Sequence, residues 1–325
     1  MKERRQSRQK HRRVIFFGTP EFALPTLQLL AKNGAFEIFV VTAPAKPAGK
    51  SGVITPSPIK ILSDNLGLLT FEPERLRDPD FFKKIASLKP ELFVVAAYGK
   101  IIPQELLDIV PDGSINIHPS LLPKYRGPSP IEAAILAGEK ETGVTIMLMD
   151  AEIDHGPVLA EEIVLVKENE TAPELSKRLA KIGAKLLLNT LPRWFLGEIA
   201  ATPQDHERAT YTKRLEREDG RLYWDNPADL LLRQVRAYAG WPESHFIWMR
   251  NNEALRVKVE AARIISSGGG ERSYGTVWQA ADAPIAIETL DGALAVDKLR
   301  LQGKASRTAT EFINGYPDII GAKLL

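Results

Sequence analysis

An α/β domain built on a mainly parallel sheet, followed by a smaller β-rich domain, is the fold class that the sequence predicts. Three observations carry it. Short apolar runs alternate with helical patterns through the first two hundred residues. Those runs lack a period of two, which suits strands covered on both faces. After about residue 210 the pattern changes to several short strands at close spacing.

The first strand is expected at residues 14–17, where an apolar run stops at Gly18-Thr19-Pro20. Residues 21–30 carry helical spacing, with Phe22, Leu24, Leu27, Leu29 and Leu30 apolar. Strands follow at 38–41, 68–71, 92–97 and 114–117, with helices at 59–66 and 81–88 between them and one at 131–137 after the last. Residues 43–58, rich in Pro, Gly and Lys, read as a loop. Further strands fall at 144–149 and 158–166, and a long helix at 174–196 has Leu175, Leu179, Ile182, Leu186 and Leu187 at helical spacing. Such alternation predicts right-handed βαβ units.

In the second domain one helix is expected over 226–238, opened by Asn226-Pro227. Strands follow at 245–249, 255–265, 275–279, 285–288 and 293–299, which fits a small barrel or a sandwich. The resulting division is a basic disordered tail at 1–13, a first domain at 14–200, a linker at 201–210 and a second domain at 211–325.

A length of 325 residues suits two domains. With 44% hydrophobic and 26% charged residues, the composition is that of a globular chain. No apolar run reaches 18 residues, so no membrane-spanning helix is expected. The basic start is not followed by an apolar stretch, which argues against a secretory leader. Cysteine is absent, which removes disulfides, thiolate nucleophiles and cysteine-bound metals and is compatible with a reducing compartment. The net charge of +2 is unevenly spread: residues 1–13 carry seven basic side chains against Glu3 alone. A solvated arm is the plain expectation for that tail. Phosphate contact is the functional alternative. A transit peptide is disfavoured, since residues 2–13 hold no aliphatic or aromatic side chain.

Gly18 stands without the further glycines of a dinucleotide fingerprint, and Gly49-Lys50-Ser51 lacks the context of a phosphate loop. Asn116 and His118 are more informative. Two apart at a strand end, they share a face. Ligands of open α/β sheets bind beyond strand ends. An amide donor beside an imidazole can stabilise an oxyanion and move a proton. The same spacing also fits a strand end with satisfied polar groups. Asp154 lies in a loop after the next strand, and a parallel arrangement would bring that loop to the His118 edge. A carboxylate there could hold the imidazole in one tautomer. A turn cap is its plainer role. His118, His155, Asp150, Glu152 and Asp154 show no metal-ligand spacing, and Ser120 lies in no nucleophile elbow.

Taken in order, several stretches resemble the folate-dependent formyltransferase family over nearly the full length. They are Phe17-Gly18-Thr19-Pro20-Glu21-Phe22-Ala23, Pro47-Ala48-Gly49-Lys50, Pro56-Ser57-Pro58-Ile59-Lys60 and the 94–103 segment around Tyr98-Gly99-Lys100. They continue with Asn116-Ile117-His118-Pro119-Ser120-Leu121-Leu122-Pro123-Lys124-Tyr125-Arg126-Gly127, the 141–147 segment and Asp154-His155-Gly156-Pro157. The Gly-Thr-Pro start, with Arg236-Ala237-Tyr238 and Trp241-Pro242, narrows the likeness to the family's tRNA-acting branch.

The resemblance implies a Rossmann-like formyl-transfer domain and an OB-like C-terminal β-barrel domain. It implies 10-formyltetrahydrofolate as formyl donor, the α-amine of methionyl initiator tRNA as acceptor, and no metal. It implies a cytoplasmic monomer serving translation initiation. Asn116, His118 and Asp154 match the family's catalytic positions, and Ser120, Leu121, Leu122 and Pro123 its folate-binding loop. Lys46, Lys50, Arg126, Arg236 and Arg250 are the candidates for tRNA contact. The family's insertion loop is often strongly basic, whereas residues 42–55 offer only Lys46 and Lys50. The basic tail lies outside the likeness and could supply missing phosphate contact. Tyr238, Trp241 and Trp248 could stack on nucleic acid, but core packing is the simpler expectation. Two alternatives are a folate-dependent formyltransferase acting on an amino sugar or purine precursor, and a catalytically silent RNA-binding protein.

Overall fold

The computed structural model describes residues 11–48, 52–267 and 272–325. Along the chain come β1 (Arg12–Gly18), a 3-10 turn (Glu21–Ala23), α1 (Leu24–Lys32), β2 (Phe36–Val41), β3 (Lys46–Ala48) and β4 (Val53–Thr55). Next are α2 (Pro58–Asn65), β5 (Leu69–Phe71), α3 (Pro79–Ser87), β6 (Leu92–Ala96), α4 (Gln104–Leu107) and β7 (Ser114–His118). After α5 (Pro130–Ala137) follow β8 (Glu141–Leu148), β9 (Val158–Leu165), α6 (Ala172–Phe195) and α7 (Ala228–Ala237). The remainder is β10 (His245–Arg250), β11 (Glu253–Ile265), β12 (Val277–Ala280), β13 (Ala283–Glu288), β14 (Ala293–Leu301), β15 (Arg307–Thr308) and α8 (Ala309–Gly315). No described helix is long and apolar enough to cross a membrane.

The chain forms two units whose division is not a single cut. The first holds residues up to Pro130, Glu141–Leu165 and Ser176–Thr212. The second holds Ile131–Lys140, Val166–Leu175 and Lys213–Leu325. The first unit is organised by a seven-stranded sheet in the order β5-β2-β1-β6-β7-β8-β9. The pairs β2–β5, β1–β2, β1–β6 and β6–β7 are parallel. Val14, Ile15, Phe16 and Phe17 are completely buried, as two-sided cover requires. Gly18 ends β1 for a packing reason, since a Cβ there would come within 2.7 Å of the Phe16 ring and 2.8 Å of Ala23. Helix starts are set locally: Ser57 accepts from Lys60 N–H at α2, and Asp78 from Asp80 N–H at α3, each followed by Pro at the first turn.

Three sequence expectations need correction in this unit. The strand β8 is antiparallel to β7, with Asn116 opposite Met147 and His118 opposite Thr145. The chain therefore leaves β7 and enters β8 at the same end of the sheet, which alternation of strand and helix patterns does not reveal. The stretch read as loop at 43–58 contains the β3–β4 hairpin, with Lys46 opposite Thr55. Its strands are only three residues long, and β4 is exposed throughout, so they leave no periodic signal. Arg12 and Arg13 open β1 rather than closing a solvated tail. Arg12 pairs with Asp112 at 2.5 Å and Glu91 at 3.3 Å and lies over Phe195. Arg13 pairs with Glu37 at 3.0 Å. The tail's first ten residues lie outside the described residues.

The second unit is an antiparallel β domain in the order β10-β11-β14-β13-β12, with β15 on β14. Its core contains Phe246, Trp248, Val257, Ile285, Ile287, Leu294 and Phe312. The end strands β10 and β12 are bridged by residues 321–325. Gly321 N–H donates to Val277 O at 2.8 Å, while Ile247 and Leu325 exchange a pair of hydrogen bonds at 3.3 and 3.0 Å. Those last residues thus fill the gap that the strand order leaves open. Trp248, at 1% exposure, and Tyr238, at 6%, belong to the core as expected, whereas Trp241 is 52% exposed and does not.

Candidate active site

The site is built where β6 and β7 end. A cavity of about 490 Å³ is bounded by residues 97–102 after β6, by Asn116, His118 and Pro119, by Gly127 and Pro128, and by residues 149–154. Asn116 and His118 share a face of β7, as their spacing predicts, because alternate strand residues point the same way.

Asp154 reaches both of them, though not by the route that a parallel β8 would give. The segment 149–157 leaves β8 at the Ser114 end of β7, where Met149 N–H donates to Ser114 O at 2.7 Å. It then turns back until Asp154 stands beside Asn116. Two features make that turn. Asp154 takes a left-handed backbone, φ 49°. Gly156 has no room for a side chain, since a Cβ would lie 2.1 Å from Leu148 O.

Hydrogen bonds fix each group. Asn116 Nδ2 donates to Asp154 Oδ1 at 3.2 Å. Gly127 N–H donates to Asp154 Oδ2 at 2.8 Å. His118, 3% exposed, places Nε2 at 3.0 Å from Tyr125 O and Nδ1 at 3.5 Å from Asp154 Oδ2. A carbonyl only accepts, so the Tyr125 contact puts a proton on Nε2. In the neutral ring, Nδ1 is then an unprotonated nitrogen beside a carboxylate.

The other walls were not singled out by residue type. Tyr98 lies at the cavity with its hydroxyl buried and without a hydrogen-bond partner among the described residues. Burial pushes its pKa up to about 12, so it stays a neutral phenol at neutral pH. Lys100 is held by Pro73 O at 2.8 Å and Glu74 O at 3.0 Å. Desolvation, with Lys46 as a second cause, lowers its pKa. Ile101 and Ile153 are exposed apolar residues of the lining. The signal for residues 97–102 was their place just after a central parallel strand, the usual ligand position of such sheets.

Ser120, Leu121, Leu122 and Pro123 do not line the cavity; Pro119 is the one that does. Ser120 is completely buried, and its hydroxyl donates to Lys124 O at 2.7 Å. Thr145 Oγ1 donates to Ser120 O at 2.7 Å and accepts from Leu122 N–H at 3.2 Å. Leu121 fills the space beside Gly143, where a Cβ would lie 2.4 Å from Leu121 Cδ2. These contacts make the stretch a brace between β7 and β8.

Arg126 is also placed differently from the expected tRNA contact. It is 1% exposed, and its guanidinium donates to Gln204 Oε1, His206 Nδ1 and the Tyr211 hydroxyl. A phosphate cannot reach it without unpacking the chain. Lys46 is exposed on β3, and Lys50 lies outside the described residues. In the second unit Arg236 donates to Glu168 O at 2.5 Å. Arg250 pairs with Asp318 at 2.6 Å and lies over the rings of Trp248 and Tyr316. No group of three or more metal-ligating side chains occurs among the described residues.

An amide, an imidazole and a carboxylate are gathered at the carboxyl end of β7 on a Rossmann-like sheet. Residues 12–191 match the family model described as Formyl transferase, and residues 214–317 that of Formyl transferase, C-terminal domain. The chain belongs to the formyl transferase family. It is 46% identical over 265 residues to the methionyl-tRNA formyltransferase of Chloroflexus aurantiacus, covering 82% of this chain and 84% of that one. Against the methionyl-tRNA formyltransferase of Roseiflexus castenholzii it is 41% identical over 304 residues, 93% of this chain and 96% of the other. Among solved structures, HypX from Aquifex aeolicus in complex with tetrahydrofolic acid aligns with a TM-score of 0.63 at 19% identity. That alignment covers 96% of this chain and 48% of HypX. The sugar 3N-formyl transferase WlaRD aligns with a TM-score of 0.64 at 19% identity, over 91% of this chain and 100% of WlaRD. At such identities the likeness is one of fold.

Proposed function

We propose that this chain transfers the formyl group of 10-formyltetrahydrofolate to the α-amine of methionine carried on initiator tRNA. The observation that carries the reading is the convergence of Asn116, His118 and Asp154 on one cavity, in a chain of the formyl transferase family. The acceptor follows from the two relatives above 40% identity, both methionyl-tRNA formyltransferases. At about 490 Å³ the cavity falls in the range of small-molecule sites, and Tyr98, Ile101 and Ile153 give it apolar surface for a flat ring. When bound, the co-substrate supplies an activated formyl carbon.

The chain's own groups then have distinct tasks. Asn116 offers an amide N–H where negative charge collects on the formyl oxygen. The Tyr125 carbonyl engages Nε2–H of His118, which leaves Nδ1 to exchange a proton with the reacting atoms. Nδ1 takes the proton of the attacking amine as the new C–N bond forms. It gives that proton to the departing nitrogen as the old C–N bond breaks. Asp154, 3.5 Å from Nδ1, sets a carboxylate beside the ring through those two events. Lys46, Lys50, Arg236 and Arg250 are assigned to tRNA phosphates, and Arg126 is removed from that set. The proposal includes a monomer acting in the cytoplasm.

The test is the fate of a labelled formyl group when three acceptors compete: methionyl initiator tRNA, free methionine and a nucleotide-linked amino sugar. Label on the tRNA supports the reading. Label on the sugar would replace it.

A further inference from the structure

We propose that Gln204 is a positioning residue for this reaction: it holds the turn that presents Asp154, and Arg126 holds Gln204. The inference rests on the function proposed above, and its test has a readout that does not depend on activity.

Gln204 lies 50 positions beyond Asp154 in the chain and is 7% exposed. Its Nε2 donates to Asp154 O at 2.9 Å and to Gly156 O at 2.7 Å. Its Oε1 accepts from Arg126 Nε at 3.2 Å and Nη2 at 2.7 Å. The amide orientation is settled by its partners. A guanidinium has donors only, so the oxygen must face Arg126 and the nitrogen must face the two carbonyls. Both N–H groups and both lone pairs are then used. No other uncharged side chain of that length could satisfy two donors on one side and two acceptors on the other.

The carbonyls that Gln204 spans belong to the turn that would otherwise be free to relax. Asp154 occupies a left-handed conformation, which non-glycine residues hold only where the surroundings over-determine it. Gln204 supplies that restraint from behind, while Asn116 and Gly127 fix the carboxylate in front. Arg126 links the two sides. Its backbone neighbours are Tyr125, whose carbonyl orients His118, and Gly127, whose N–H orients Asp154. Its side chain reaches back to Gln204. Misplacement of a reacting group by about 1 Å can cost roughly 10²-fold in rate, so a restraint of this kind bears on turnover.

The informative variant is Gln204→Glu. It keeps size and the Arg126 contact, which becomes an ion pair, but sets a carboxylate against two carbonyls. Gln204→Leu removes both halves as a control. Two readouts are taken on the full-length protein. The first is hydrogen exchange of the 149–157 segment by mass spectrometry. We expect both variants to exchange there about 10-fold faster than wild type, while β1 and β6 stay protected. The second is kinetics with Asp154→Ala as a second background. We expect kcat to fall roughly 10–100-fold in Gln204→Glu with KM for the folate within about 3-fold, and no further fall once Asp154 is already Ala. Unchanged exchange in 149–157 would overturn the positioning role, whatever the activity. Equal rate losses in the wild-type and Asp154→Ala backgrounds would overturn the route through Asp154. If wild type itself fails to formylate methionyl-tRNA, the functional reading falls, and the exchange result still decides whether Gln204 holds the turn.

Discussion

Asn116 and Asp154 are 38 positions apart in the chain, and the amide of the first donates to Oδ1 of the second at 3.2 Å. The other oxygen accepts Gly127 N–H at 2.8 Å, so the carboxylate has little freedom to rotate. That single carboxylate ties the end of β7, the loop after it and the segment after β8 into one site.

Replacing Asp154 by Asn keeps the shape but places an NH₂ group where an acceptor is needed. Either Asn116 or Gly127 then faces a donor. We expect turnover to fall by roughly 10²–10³-fold. Asn116→Ala should cost a similar factor. In both variants the circular dichroism spectrum should match wild type, and single-turnover kinetics measures the loss. Turnover within about 3-fold of wild type in Asp154→Asn would remove the carboxylate from the chemistry.

The Tyr125 contact makes a second prediction about His118. In the neutral ring the proton resides on Nε2, and Nδ1 is bare. Nitrogen-15 chemical shifts of the histidine side chains, assigned with a His118→Gln variant, report the tautomer directly. A proton on Nδ1 would contradict the assigned direction of proton exchange.

Much of this arrangement was legible in the sequence, and the failures have physical causes. The strands β1, β6 and β7 announced themselves because both their faces are buried, which leaves unbroken apolar runs. The shared face of Asn116 and His118 followed from the period of a strand. The nearness of Asp154 was expected for an insufficient reason: β8 runs antiparallel, and a turn through Asp154 and Gly156 brings the carboxylate back. Strand direction is set by where the connection lies, and local patterns do not encode that. Arg126 was a candidate for tRNA contact, and its local sequence does not show that it is buried. Its burial depends on Gln204 and His206, about 80 positions away. Ser120 and Leu122 were expected at the ligand because they match the family's folate-binding loop. Their partner is Thr145, on the neighbouring strand.

Arg126→Met would leave Gln204 Oε1 buried without donors and would remove the donor that faces His206 Nδ1. We expect a loss of about 2–4 kcal/mol in urea unfolding. The salt dependence of tRNA binding should keep its slope, because no phosphate contact is lost. A slope smaller by about one ion would show that Arg126 does reach RNA.

His245 gives the second unit a pH dependence. Burial, with the nearby Arg256 as a second cause, lowers its pKa from 6.5 to about 4. Nδ1 faces Glu243 O at 3.2 Å, and Nε2 is buried with no partner among the described residues. The unfolded chain therefore takes up a proton before the folded one as pH falls. Stability is fully present above 6.5 and is lost between about 6.5 and 4. The expected loss between pH 7 and pH 5 is about 2 kcal/mol from this residue. Urea midpoints of wild type and His245→Phe at the two pH values check it. The variant should show a shallower pH dependence, and equal slopes would move the cause elsewhere.

The central claim is met most directly by a single-turnover experiment. Excess protein is mixed with 10-formyltetrahydrofolate and methionylated initiator tRNA, and formylmethionyl-tRNA is scored over time beside a free-methionine control. Rapid product on the charged tRNA, none on free methionine, and a rate lowered at least about 10²-fold in Asn116→Ala are the outcomes expected. No product from wild type, with tRNA still bound, would contradict the assignment and leave a binding protein in its place.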